Sequence, residues 1–371
     1  MEKTNQSFVK FVDLKYQNVK LLQEMPHQLS ELIEKSVFLN GSELDRFERD
    51  YEKFTGALKV FGVANGTDAI EICLRSLNLP QNAIVCIPAL SFAATGLAVL
   101  RAGYQVVFCD VDLKTGSIST KNLEDLEIKP DVVLAVSLYG RALDTDLYEW
   151  TQKNNTTLIE DGAQSHGAVR DGIQSTRGTR IAATSFYPTK NLGCLGDGGA
   201  VIVNDLTLIE NVMRLKNYGG LEKYSHESFG FNSRLSEIQS LVLNYKLEKL
   251  NLWNQERISI AKKYQHKLSD NRNIELPSLE FDGSNVFHLY PILINEREKV
   301  KIKLLEFGVE AGVHYPKSLP QEGVFKMALS ETKTYPNAES WANRNLTLPI
   351  YPGITDNKID RVVEALNQSI C

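Results

Sequence analysis

Seven short apolar runs between Leu58 and Asp205 constrain this chain more than any other feature of it. They read LKVFGVA, AIVCIP, QVVFCDVD, DVVLAVSLYG, TTLIED, RIAATSF and AVIVND, and most end in a polar or turn-forming residue. The runs near residues 60 and 133 lead into helical patterns. In NGTDAIEICLRSL, for example, Ile70, Cys73, Leu74 and Leu77 fall at i, i+3, i+4 and i+7, one face of a helix. Buried strands alternating with helices predict an α/β fold whose sheet is largely parallel or mixed and covered on both faces. In such folds, sites gather where strands end and loops begin.

A chain of 371 residues is too long for one small core, so two lobes are expected. The texture changes beyond about residue 255, where strand-like VFHLYPILI, helix-like KVKIKLLEFG and a proline-rich stretch up to LPIYPG follow one another. This predicts a large domain over 1–250 and a smaller C-terminal α/β domain over 251–371. Before that boundary, a helix through Leu208, Ile209, Val212 and Met213 is expected with Asp205 as its N-cap. A second helix starting near Leu235 would carry Ile238, Leu241, Val242 and Tyr245 on one side. The net charge of -5, with no Lys/Arg block, argues against a nucleic-acid surface. Five scattered cysteines without a CxxC pair read as free thiols in a reducing compartment, with neither a zinc site nor disulfides expected. No segment has the length of a membrane span and MEKTNQSFVKFVDLKYQ has no apolar core, so a cytoplasmic location is expected.

Three stretches carry chemistry. SFYPTKNLGCLGDGGA displays Lys190 on an irregular loop, because glycine and proline at this density stop both helix and strand. Such a lysine is either a solvated surface charge or an amine held at a pocket floor for covalent chemistry. TTLIEDGAQSHGA sets Asp161 at the C-terminal end of a strand, pointing into the site region of an α/β sheet, though aspartate there also serves simple turns. NGTDAI is a strand-to-helix junction. Its Gly66 permits close backbone approach, and the free amides of a new helix make a phosphate seat; an ordinary capped turn would look the same. Together the three make a set that pyridoxal phosphate needs: a lysine for its imine, a carboxylate at the ring nitrogen, a phosphate cup and a flat apolar face. The carboxylate keeps that nitrogen protonated, since a nearby opposite charge favours the cation. A lysine released by an incoming amine is the natural base for the proton transfer.

The chain resembles the DegT/DnrJ/StrS family of sugar-nucleotide aminotransferases nearly end to end. FVDLKYQ, FLNGSELDRFERDYEKF, VANGTDAI, SFAATGLAVLRAG, LYGRALDTD, IEDGAQSHGA, SFYPTKNLG, LGDGGA, GFNSRLSEIQ, HLY, HYP and LPIYP occur in the family's order. The resemblance implies the type I aminotransferase fold, with Lys190 bonding the cofactor and Asp161 at its ring nitrogen. It sets Gln164 near the phenolic oxygen, Gly66, Thr67 and Ser185 at the phosphate, and Phe92 stacked on the ring. In GFNSRLSEIQ it implies that Asn232 reaches the phosphate of a neighbouring subunit's cofactor, and hence a homodimer with shared active sites. Arg234 and Glu237 are expected to fix that loop as a charged pair.

AQSHGA, the Lys-Tyr pair in GGLEKYSHESF, and KLNLWNQER resemble the branch that aminates carbon 3 of a 6-deoxyhexose. The reaction so implied is a ping-pong transfer from L-glutamate to a dTDP-linked 3-keto sugar; amination at carbon 4 is the alternative. His166, Tyr187, His314 and Tyr315 would line the sugar pocket, and Lys223 would reach the nucleotide phosphates from the other subunit. Four positions depart from the family pattern. These are Arg141, the apolar Ala89-Leu90 near the expected sugar pocket, and Cys194, whose thiol is expected to be open to oxidation. A nicotinamide dehydrogenase is disfavoured because no GxGxxG follows the first strand.

Overall fold

The computed structural model describes residues 8–222, 224–326, 328 and 334–370. The seven apolar runs form the seven strands of one sheet: β1 (Lys59–Val63), β2 (Ile84–Pro88), β3 (Gln105–Cys109), β4 (Val132–Val136), β5 (Thr157–Asp161), β6 (Ile181–Ser185) and β7 (Gly199–Val203). Their order across the sheet is β1-β7-β6-β5-β4-β2-β3. β7 runs antiparallel to both neighbours, so that Gly199 lies opposite Val63 on one side and Ser185 on the other. The remaining neighbours are parallel.

Successive side chains of a strand point to opposite faces, and here both faces are dry. Val60, Ala182, Ala200 and Ile202 turn to one side, against Leu44, Phe47 and Tyr51 of the helix Ser42–Thr55. Phe61, Val63, Ile181, Ala183, Val201 and Val203 turn to the other, against Ile70, Cys73 and Leu74 of the helix Gly66–Ser76. Burying one large aliphatic side chain is worth about 1.5–3 kcal/mol. That is why these strands show no polar alternation and why the run pattern alone located them.

A second, antiparallel sheet joins β8 (Ile274–Glu275), β9 (Tyr290–Ile294) and β10 (Asn345–Leu348). The helices Leu250–Leu268, Arg297–Glu306 and Asp356–Ile370 enclose its core, which includes Tyr264, Tyr290, Ile292, Leu346, Leu348 and Leu366. Val9 enters this core from the other end of the chain, exchanging backbone hydrogen bonds with Gly308 and Glu310 at 2.8 and 2.9 Å. The helix Leu250–Leu268 runs through the region where the sequence texture changes. Leu250 packs under the first sheet, whereas Ile258 to Leu268 belong to the second core.

Two helices differ in detail from expectation. Asp205 caps a 3-10 turn, Leu206–Leu208, by accepting from the Thr207 amide at 2.9 Å, and the α-helix proper is Ile209–Lys216. The next helix is Glu237–Leu247, capped by Ser236; it buries Leu241 and Val242 but leaves Ile238 39% exposed. Cys73, Cys86, Cys109 and Cys194 are buried free thiols. Among the described residues no helix is long and apolar enough to cross a membrane.

Candidate active site

β1, β2, β5 and β6 are mutually parallel, so their C-terminal ends lie on one side of the sheet. The residues that follow them are Asn65–Thr67, Ser91–Phe92, Ala163–Gln164 and the loop bearing Lys190, and they surround a single cavity of about 540 Å³. That volume suits a cofactor-sized ligand with a substrate beside it. Gly66, Thr67, Phe92, Asp161, Gln164, Ser185, Tyr187, Lys190, His314 and Tyr315 all line it.

The helix Gly66–Ser76 begins at the cavity. The Asn65 carboxamide oxygen accepts from the Asp68 amide at 2.8 Å, and the Asn65 carbonyl from Ala69 at 3.1 Å. Among the described residues the amides of Gly66 and Thr67 have no hydrogen-bond partner, at the positive end of an eleven-residue helix. A Cβ on Gly66 would meet Ser185 Cβ at 2.7 Å, so only glycine lets the helix start come this close to the end of β6. Ser185 Oγ accepts from the Tyr187 amide at 3.2 Å and keeps its proton to donate.

Strand alternation separates the two acids of β5. Glu160 is fully buried on the far face, where it accepts from Ser137 Oγ, Ser175 Oγ and the Thr176 amide at 2.6, 2.5 and 2.7 Å. Asp161 faces the cavity, where among the described residues its carboxylate accepts only from the Ala163 amide, at 3.0 Å. Burial raises the Asp161 carboxyl above the ordinary range, against the opposing effects of that amide and of Lys190.

Lys190 sits in the turn Tyr187–Lys190, its amide bonded to the Tyr187 carbonyl at 2.9 Å. The rest of the loop is clamped from below. Asn191 Nδ2 donates to Asn254 Oδ1 and the Val286 carbonyl, Lys246 Nζ to the Gly193 carbonyl, and Leu195 N to Gln239 Oε1. Gly193 is obligatory, since a Cβ there would stand 2.3 Å from the Pro188 oxygen. The loop therefore presents its lysine rigidly. Burial lowers the Lys190 amine from 10.5 to about 8, with the Asp161 carboxylate pulling the other way. No ion pair within 4.0 Å joins the two among the described residues, so the opposite charges face each other across space.

Gln164 is held by the Tyr139 amide, which donates to its Oε1 at 2.7 Å, and its Nε2 faces the Tyr315 hydroxyl at 3.4 Å. Phe92, 58% exposed, hangs over the cavity with its ring 5.7 Å from that of Tyr315. His314 is fixed through Nδ1 to Thr347 Oγ1 at 3.0 Å, and burial, aided by Lys190, lowers it to about 4.

Several expectations need correction. His166 does not line the cavity. It lies beneath the loop, 3% exposed, stacked on Phe186, with Nε2 3.0 Å from the Ser185 carbonyl and Nδ1 3.0 Å from the Tyr51 hydroxyl. A carbonyl only accepts, so Nε2 carries the proton and Tyr51 donates to Nδ1. Burial lowers this imidazole to about 4, so it is a neutral strut under Ser185. The expectation for Asn232, which concerns a neighbouring subunit's site, is not contradicted: the residue is exposed and outside its own chain's cavity, its Oδ1 accepting from Arg234 Nη2 at 2.6 Å. Arg234 and Glu237 form no pair. Glu237 instead accepts from the amides of Gly41 and Glu43, at 2.7 and 2.9 Å, at the start of the helix Ser42–Thr55.

Cys194 is sealed in the core, its thiol donating to the Phe186 and Gly196 carbonyls, and burial pushes it to about 11, so it is a poor target for oxidation. Ala89 and Leu90 are fully buried core residues rather than sugar contacts. Arg141 is buried in a charge network with Asp144, Glu280 and Arg170. Lys223 lies outside the described residues. Ser91, Thr95, Asp197 and His288 also line the cavity; the motifs SFAATGLAVLRAG, LGDGGA and HLY contain them, but none was singled out from sequence. Among the described residues no group of three or more His, Cys, Asp or Glu side chains is placed to hold a metal.

Comparison with known proteins bears on this geometry. The sequence profile of the DegT/DnrJ/EryC1/StrS aminotransferase family matches residues 20–367. The dTDP-3-amino-3,4,6-trideoxy-alpha-D-glucose transaminase of Streptomyces venezuelae is 33% identical over 97% of this chain and 96% of its own. The dTDP-3-amino-3,6-dideoxy-alpha-D-galactopyranose transaminase of Aneurinibacillus thermoaerophilus is also 33% identical, over 97% of this chain and 99% of its own. Among solved structures, S. venezuelae DesV in complex with a ketimine intermediate superposes with a TM-score of 0.93, at 33% identity and over 98% of both chains.

Proposed function

The chain belongs to the DegT/DnrJ/EryC1/StrS aminotransferase family, and we propose that it transfers the amino group of L-glutamate to carbon 3 of a dTDP-linked 3-keto-6-deoxyhexose. Members of the family depend on pyridoxal 5'-phosphate. The residues here fit that cofactor on observations of the chain itself. Two unpaired helix amides and the Ser185 hydroxyl converge where a phosphate would be seated. A buried carboxylate lies across the cavity from a partly neutral lysine, with Phe92 above as a flat apolar cover. This conjunction in one cavity carries the reading.

When bound, the cofactor supplies a carbonyl carbon that holds the travelling nitrogen and a cationic ring that withdraws electrons. The protein does the rest. Gly66, Thr67 and Ser185 would anchor the phosphate, and Asp161 would keep the ring nitrogen protonated. Gln164, pinned by Tyr139, orients the phenolic oxygen. Lys190 would hold the cofactor covalently, and its amine, when free, would serve as the base that moves a proton at the carbon bonded to the substrate nitrogen. Tyr187, His314 and Tyr315 flank the space left for the sugar, and the cytoplasm is the compartment that fits a chain with free thiols.

We extend the proposal to a homodimer in which Asn232 of one subunit completes the phosphate site of the other and Lys223 approaches the nucleotide phosphates. An exposed apolar patch beside the Lys190 loop supports it. Phe38 (47% exposed), Leu39 (44%), Leu195 (52%) and Ile238 (39%) are neighbours through the Glu237 amide to Phe38 carbonyl bond, the Leu39–Ser236 bridge and the Leu195–Gln239 contact. Such a patch marks an interaction surface. The large domain is proposed to end near residue 250, where the helix Leu250–Leu268 begins.

The test is to supply purified protein with L-glutamate and a dTDP-3-keto-6-deoxyhexose and read by NMR which carbon of the product bears nitrogen. Nitrogen at carbon 3 is expected. Nitrogen at carbon 4, or no 2-oxoglutarate formed, overturns the proposal.

A further inference from the structure

His288 is one of the cavity-lining side chains, with Ser91, Thr95 and Asp197, that the proposed function leaves without a task. The residue is 7% exposed, and its backbone is fixed by Arg257, whose Nη1 donates to the carbonyls of Phe287, His288 and Ile350 at 3.3, 3.2 and 2.9 Å. Nδ1 lies 3.2 Å from Asn191 Oδ1.

Which nitrogen carries the proton follows from a chain of bonds that ends on a group able only to accept. The His166 carbonyl accepts from Asn254 Nδ2 at 2.8 Å, which turns Asn254 Oδ1 toward Asn191. Asn191 Nδ2 donates to that oxygen at 2.9 Å and to the Val286 carbonyl at 3.1 Å, so its own Oδ1 must be the atom facing His288. Nδ1 of His288 is therefore the protonated nitrogen, and Nε2 holds a bare lone pair. Nε2 has no hydrogen-bond partner among the described residues, yet it is not among the atoms sealed from solvent. It opens onto the cavity that His288 lines.

We infer that His288 is a substrate-positioning residue whose Nε2 accepts a hydrogen bond from a hydroxyl of the sugar. The inference rests on the aminotransferase reading and deepens it. A fixed lone pair favours a donor. Glutamate offers two carboxylates, which only accept, and an ammonium whose nitrogen is the reacting atom, whereas a sugar offers hydroxyl protons. Burial together with Lys190 and Arg257 holds the ring neutral, so the lone pair stays available.

The experiment uses holoenzyme carrying His288→Asn or His288→Gln. Asparagine reproduces the Nδ1 donor to Asn191 and removes the distal acceptor; glutamine sets an amide at the distal position. The two half-reactions are followed separately, with L-glutamate and with dTDP-3-amino-3,6-dideoxy-α-D-galactose run in reverse. In the asparagine variant, kcat/KM for the sugar is expected to fall by about 10- to 100-fold, at least tenfold more than for glutamate, the loss that follows when a buried group is deprived of one hydrogen-bond partner. Glutamine is expected to recover most of it. An equal loss in both half-reactions, or none, overturns the assignment. A measurement that needs no variant is the ¹⁵N spectrum of histidine-labelled wild type. There the His288 Nε2 signal should be that of an unprotonated nitrogen and should move on adding the sugar nucleotide; a protonated Nε2 or an unmoved signal also overturns it. Wild-type protein inert toward keto sugars would instead remove the proposed function while leaving the tautomer standing.

Discussion

Lys190 must lose a proton before its nitrogen can bond a carbon, and its surroundings make that loss easy. Burial outweighs the pull of Asp161 and brings the amine to about 8. The neutral fraction therefore rises as pH climbs through about 8 instead of near 10.5. Covalent uptake of pyridoxal phosphate by cofactor-free protein, followed by absorbance, is predicted to rise over that window and level off; a rate still climbing at pH 10 would contradict it. Lys190→Ala should lose the cofactor's covalent absorbance and at least ~10³-fold of the transfer rate, since both nucleophile and base go with it. At this scale the sequence was informative where chemistry and chain position coincide. Asp161, Ser185, Gly66 and Thr67 each stand at a strand end or helix start, and all line the cavity. His166 shows the limit. It is two residues beyond Gln164 in the same small-residue loop, but whether a side chain in such a loop points up or down depends on Tyr51, 115 residues away.

The elements were legible because a sheet buried on both faces leaves runs that are apolar at every position. Helix faces were less so. Glu237–Leu247 reads as amphipathic about Ile238, yet it buries Glu237, Ser240 and Asn244 and leaves Ile238 exposed, because its buried side meets the helix Ser42–Thr55. Glu237 is the clearest case. As a carboxylate at the start of the helix Ser42–Thr55 it satisfies the amides of Gly41 and Glu43 and favours the positive helix end. Glu237→Gln keeps the shape and removes the charge. It is predicted to cost about 1–3 kcal/mol, read as a lower urea midpoint at unchanged slope; an unshifted midpoint would show that the cap contributes nothing.

At the scale of the whole molecule, the cavity draws on both sheets. His288 precedes β9 and His314 precedes β10, whereas the phosphate donors come from β1 and β6. Residues more than 100 and up to 248 positions apart, Gly66 and His314 at the extreme, thus share one site, which no local pattern reveals. The proposed dimer belongs to the same scale. Asn232→Ala is predicted to leave folding intact and to weaken cofactor retention by about tenfold, roughly one charge-assisted contact, measured by equilibrium dialysis. Sedimentation should give twice the mass of one chain; a monomer with undiminished cofactor affinity would defeat the shared-site proposal.

The sequence alone determined which segments become the strands of the first sheet, where those strands end and which residues with reactive side chains stand at those ends. These follow from local apolar pattern and turn chemistry, which short stretches carry in full. Tertiary structure alone decided that His166 lies under the site and not in it, that Glu237 caps a helix almost 200 residues earlier, and that His288 turns a lone pair toward the cavity. Each of those depends on where a distant donor or acceptor comes to rest once both cores have closed, and a buried polar group takes the orientation its partner dictates.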